Sequence, residues 1–87
     1  VDVTTSGGFN ASVTISDNSI ASVGEEGIDV NAGSTGTTTV TAQNNPSLLS
    51  AGNAFDARNS AAGSLVIALS GNGQISSSTG TGVCVDA

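Results

Sequence analysis

One spacing constrains this chain more than any other feature. Val1-Asp2-Val3 recurs as Ile28-Asp29-Val30, 27 residues on, then as Phe55-Asp56-Ala57 after another 27, and as Val83-Cys84-Val85 after 28. A second stretch keeps the step: Val13, Val40 and Ile67 are each 27 apart, as are Ile15, Ala42 and Leu69. Asn18, Asn45 and Asn72 form a third column on the same period. Independent columns on one period mark a repeat architecture, in which each unit buries its apolar face against the next.

Each repeat reads as three short strands. The first alternates apolar and polar residues, as in Val1-Asp2-Val3-Thr4-Thr5, and ends at the Ser6-Gly7-Gly8 corner. The second, Ala11 to Ser16, places Val13 and Ile15 inward and Ser12, Thr14 and Ser16 outward. Asn18 turns the next corner, and a third strand carries Ile20, with Leu48 and Ile75 as its counterparts after one-residue insertions. Gly27, Ala54 and Gly82 close the coils. Period-2 alternation marks strand and the Gly/Asn clusters mark turns. The expected boundaries are coil 1 over 1–27, coil 2 over 28–54, coil 3 over 55–82, and the start of coil 4 over 83–87, in a single module. The expected core is Val13, Ile28, Val30, Val40, Phe55, Ile67, Leu69 and Val83.

Composition alone leaves two readings open. Small polar residues and only two phenylalanines suit a disordered chain. They equally suit thin coils that need slim side chains inside, and the repeat decides for the second. At 87 residues a compact globule has little core, and the single cysteine rules out a disulfide within the chain. With no histidine, a zinc site lacks ligands. A net charge of −6 with Arg58 as the only basic residue offers nothing to phosphate, which argues against nucleic acid and against anionic lipid. No run is long enough to insert in a membrane, Leu65 to Leu69 being strand-sized. Val1 opens neither a charged nor an apolar leader, so the reading is a cytosolic chain, a mature secreted product or an excerpt of something longer.

The phrase Gly27-Ile28-Asp29-Val30, the Asn18/Asn45/Asn72 ladder and the long Ser/Thr/Gly/Asn-rich coils resemble right-handed parallel β-helix repeats of the pectin-lyase-like superfold. They are most similar to the repeats of large bacterial surface proteins, such as autotransporter passengers and adhesins. The resemblance implies an all-β, right-handed parallel β-helix of about three coils, open at both ends. It says little about function, because such a fold hosts many activities.

Few residues suggest chemistry. Asp2, Asp29 and Asp56 form an outward column. At ~4.8 Å spacing, like charges repel by about 1 kcal/mol per pair even in water. Calcium could relieve that repulsion through oxygen ligation, and a solvated column is the plainer account. Glu25-Glu26 precedes Gly27 without a calcium-binding nonapeptide and reads as a solvated loop. Enzymes on this superfold combine acids with Arg, Lys or His, and three thin coils have no loops to build a cleft, so no catalytic residue and no cofactor beyond that calcium is expected. The Thr39/Thr41 face could suggest ice binding, but its counterparts in the third repeat are Val66 and Ala68. Asn10-Ala11-Ser12 is a glycosylation triplet of a kind common in such compositions. Cys84 replaces the column aspartate, either as an inert thiol or as one half of an intermolecular disulfide.

The expectation is therefore a structural module of an extracellular or cell-surface fibre, stalk or adhesin. Its partners would be further solenoid coils or identical subunits stacked head to tail. The alternative is a binding module for a glycan or calcium on the acidic or Thr-rich face. One ion pair is also expected, between Arg58 and Asp86 on neighbouring coils.

Overall fold

The structure is a computed structural model that describes residues 1–22 and 24–86; Val23 and Ala87, the latter assigned above to the start of coil 4, lie outside the described residues. Alternation of inward and outward residues marks most of the strands. The strands are β1 (Asp2–Gly7), β2 (Ala11–Ser16), β3 (Ser19–Ser22), β4 (Ile28–Ser34), β5 (Thr37–Gln43), β6 (Ser47–Ser50), β7 (Phe55–Asn59), β8 (Ser64–Ser70), β9 (Gln74–Ser77) and β10 (Val83–Asp86). They assemble into three parallel sheets, β1-β4-β7-β10, β2-β5-β8 and β3-β6-β9, called here A, B and C. The chain is thus an all-β solenoid of about three turns, with β10 laying a further strand on sheet A alone.

The registers follow the sequence columns. Asp2 faces Asp29, Asp29 faces Asp56, and Cys84 faces Asp56 from the other side. Val13 pairs with Val40 and Val40 with Ile67; Ile20 pairs with Leu48 and Leu48 with Ile75. Sheet C runs one residue late between the first two coils, because Pro46 is inserted between Asn45 and the β6 partner of Ser19.

Most of the core lies where a coil has neighbours on both sides, with Val3 and Ile15 of the first coil buried as well. Ile28, Val30, Val40, Leu48 and Phe55 are fully buried. Val13, Ile67 and Leu69 point the same way but are half-buried, and Val83 is 40% exposed. These four belong to the first and last layers, where one side of each side chain has nothing stacked on it. Burial of an aliphatic side chain contributes about 1.5–3 kcal/mol only when it is complete, so the middle coil carries most of the stability.

Two corner devices hold the coils in register. The residue before each ladder asparagine is left-handed: Asp17 has φ 59°, Asn44 57° and Gly71 62°. Asp, Asn and Gly are the residues that tolerate this region, so the three differ in type yet make the same turn. The second device is close approach. A Cβ on Gly63 would stand 2.1 Å from the Gly36 carbonyl oxygen, and one on Gly73 would stand 2.0 Å from that of Pro46. Only glycine lets the coils meet there.

Candidate functional site

The asparagine corner is the most ordered polar feature. Asn18 N–H donates to Asn45 Oδ1 at 3.0 Å, and Asn45 N–H donates to Asn72 Oδ1 at 3.0 Å. The carboxamide nitrogens reach back to the preceding coil, and that of Asn45 also reaches forward. Asn45 Nδ2 donates to Ile15 O at 3.1 Å and to Asn72 Oδ1 at 2.8 Å, and Asn72 Nδ2 donates to Ala42 O at 2.9 Å. Asn45 is fully buried, so each of these bonds replaces water that cannot reach it. Most of this bonding joins side chain to backbone, and one bond, Asn45 Nδ2 to Asn72 Oδ1, joins amide to amide. At the outer end, Asn18 Nδ2 turns back to Ser16 O at 2.9 Å.

Other buried polar groups escaped the sequence reading. Thr38 is fully buried, with its hydroxyl 2.9 Å from that of Thr5. Ser34 donates to Phe9 O at 2.6 Å and accepts from Gly36 N–H at 3.0 Å. Ser50 donates to Glu25 O, and Ser77 donates to Gly52 O at 2.5 Å. The serine hydroxyls close the corners by capping backbone carbonyls. The signal was present in the Ser50/Ser77 spacing of 27, but Ser is too common here to stand out.

The aspartate column is not uniformly solvated. Asp2 is exposed, Asp29 is half-buried, and Asp56 is 5% exposed. Asp56 Oδ2 takes an ion pair from Arg58 Nη2 at 2.9 Å, and Asn53 Nδ2 lies 3.3 Å from its Oδ1. This corrects the expected Arg58–Asp86 pair. The two residues are register partners, but Arg58 turns to the carboxylate two residues back on its own strand. That carboxylate is shielded, whereas Asp86 is exposed on the outermost strand. Asp29 sits between the other two. Its Oδ2 is 3.4 Å from Asn31 Nδ2, and its buried Oδ1 has no partner among the described residues. Desolvation first, then the charges of Asp56, Glu26 and Asp2, push its pKa above the ordinary aspartate value, and Arg58 opposes them.

The calcium expectation finds no geometry. Among the described residues no group of three or more His, Cys, Asp or Glu is placed to hold a metal ion. In-register carboxylates stand side by side one layer apart, so they do not converge on a point, and Arg58 already occupies one. No pocket is formed by the described residues. Cys84 is a half-buried free thiol stacked on Asp56. Asn10, in the glycosylation triplet, is exposed, and its Oδ1 accepts from Thr37 N–H at 2.9 Å. On the outer face of sheet B, Thr39 and Thr41 are followed by Val66, 46% exposed. Phe9 is 80% exposed at the first corner, which no spacing indicated. No helix is long and apolar enough to cross a membrane among the described residues.

Comparison with known proteins finds no matching family model, no matching curated protein and no matching solved structure. The likeness to surface-protein repeats therefore rests on the repeat pattern alone.

Two outcomes follow from this geometry. Asn45→Leu strips partners from Asn18 N–H and Ile15 O, at about 1–3 kcal/mol for each group that stays dry. Urea unfolding should show a clear drop in midpoint, and an unchanged midpoint would contradict the ladder's role. Asp29, with its pKa raised on folding, binds its proton more tightly in the folded state. Its contribution is therefore unfavourable above the folded pKa and vanishes below the unfolded one. Asp29→Asn should raise the melting temperature at pH 7 and lose that advantage as the pH falls through the aspartate range. A variant less stable than the parent at pH 7 would refute this.

Proposed function

We propose that this chain is a non-enzymatic structural module, a stiff stretch of β-solenoid in an extracellular or cell-surface fibre, stalk or adhesin. Its work is to extend by pairing its end layers with more solenoid, in the same chain or in another copy. The observation that carries this reading is the state of the two ends. Among the described residues, β1, β2 and β3 on one side and β8, β9 and β10 on the other have strand neighbours on one edge only. Open edges with aliphatic side chains half covered are templates for further strands. The ends also share one register, since β10 repeats β1 residue for residue against sheet A. A solenoid grows without the size limit of a globule, because each added coil brings its own neighbour contact.

Electron microscopy of the full chain, alongside sedimentation velocity, tests the reading. End-to-end particles that lengthen with concentration, without added ligand, are expected. A monodisperse monomer at every concentration, binding a glycan or calcium in calorimetry, would replace this reading with that of a binding module.

A further inference from the structure

The three ladder asparagines share one corner but not one chemistry. A backbone nitrogen can attack the carboxamide carbon of the asparagine before it, and the ring closes most easily when that nitrogen belongs to glycine, which has no side chain in the way. Asn18 is followed by Ser19, whose side chain hinders closure. Asn45 is followed by Pro46, which has no N–H to give. Asn72 is followed by Gly73, the one Asn-Gly step in the chain. That glycine cannot be traded away, because a Cβ there would collide with the Pro46 carbonyl of the preceding coil.

We infer that Asn72 is a site of spontaneous modification that the fold holds closed, so that deamidation at Asn72-Gly73 records openings of this corner. In the closed corner the nucleophile is occupied: Gly73 N–H donates to Asn45 O at 2.8 Å. The carboxamide is held at both its polar atoms. Its Oδ1 accepts from Asn45 N–H at 3.0 Å and from Asn45 Nδ2 at 2.8 Å, and its Nδ2 donates to Ala42 O at 2.9 Å. Ring closure must turn the carboxamide carbon toward Gly73 N, and the group does not turn without giving up these bonds. The Pro46 carbonyl packed against Gly73 keeps the backbone from moving to meet it. The same close approach thus demands the residue that makes Asn72 labile and guards the bond it endangers.

In the open corner Gly73 N gives up its proton and bonds to Asn72 Cγ. The Cγ–Nδ2 bond breaks, and Nδ2 leaves as ammonia with that proton. Water then opens the cyclic imide. Addition at Cγ gives aspartate; addition at the Asn72 main-chain carbonyl gives isoaspartate, with the backbone routed through Cβ and Cγ. Neither product fits the seat it left. Aspartate sets a carboxylate oxygen against Ala42 O, where Nδ2 had donated. Isoaspartate lengthens the main chain by one carbon just before β9, whose Gln74 to Ser77 pair in register with Ser47 to Ser50. The step runs one way, so a modified corner does not reclose as it was.

The test holds the full chain at mildly alkaline pH, in buffer and in urea beyond its unfolding midpoint. Peptide mapping by mass spectrometry follows the exchange of NH2 for OH at each asparagine. In urea Asn72 should react before any other asparagine. In buffer the same site should react at least about a hundredfold more slowly, since opening forfeits the bonds from Asn45 N–H, Asn45 Nδ2, Asn72 Nδ2 and Gly73 N–H together. Hydrogen exchange at the Gly73 amide reads the same opening without the chemistry and should show protection of the same order. Chains modified at Asn72 and returned to buffer should unfold at lower urea than the parent. Equal rates in buffer and urea, another asparagine reacting first in urea, an unprotected Gly73 amide in the folded chain, or modified chains with the parent's midpoint would each overturn the inference.

Discussion

Most of the interior of this solenoid is covered by neighbouring coils, although Val3 and Ile15 are buried with a strand partner on one side alone. Val40 is fully buried because Val13 lies on one side of it and Ile67 on the other, each one strand layer away. Where one of those neighbours is missing, the same column is only half-buried. Stability is therefore a property of the stack, and the middle coil is the one complete unit. The thinness of the coils explains the composition. Valine, isoleucine and alanine fill a narrow interior, while the two phenylalanines take opposite roles, Phe55 fully buried and Phe9 80% exposed.

Such a stack must also satisfy polar groups at every corner, and it does so with the same vertical logic. The asparagine ladder bonds each coil to the next through backbone and carboxamide together. Serine and threonine hydroxyls cap the carbonyls of the other corners. Left-handed residues at Asp17, Asn44 and Gly71 aim the ladder inward. Each bond contributes modestly, but a buried carboxamide left without partners costs more than the bond itself gains. The corners therefore specify register, and the aliphatic columns supply the driving force.

Much of this was legible in the sequence because the repeat is strict where the packing is strict. The 27-residue columns gave the three sheets, their parallel sense and the asparagine corner. What escaped lies off the period or depends on solvent access. The one-residue insertion in sheet C was visible in the Ile20/Leu48 spacing, but what the corner serines bond to was not. Asp56 occupies the same column as exposed Asp2, yet it is buried because a further strand, Asn53 and Arg58 cover it. Val83 repeats a core position but is exposed, since nothing stacks beyond it. Alternation tells which way a side chain points, and only the neighbouring layer tells whether it is covered. The candidate site was read in the same uneven way. Its columns were visible, while the ion pair and the unpartnered Asp29 oxygen belong to three-dimensional packing.

The central claim is the parallel, in-register stack with one layer per repeat, since burial, ladder and end surfaces all follow from it. Spin labels on the outward column Thr14, Thr41 and Ala68 measure it most directly. Labels at positions 14 and 68, two layers apart, should show strong dipolar broadening for backbone positions about 10 Å apart. Labels at 14 and 41 should broaden more strongly still. Spectra showing the 14–68 pair beyond about 20 Å, or no closer for 14–41 than for 14–68, would contradict the stack.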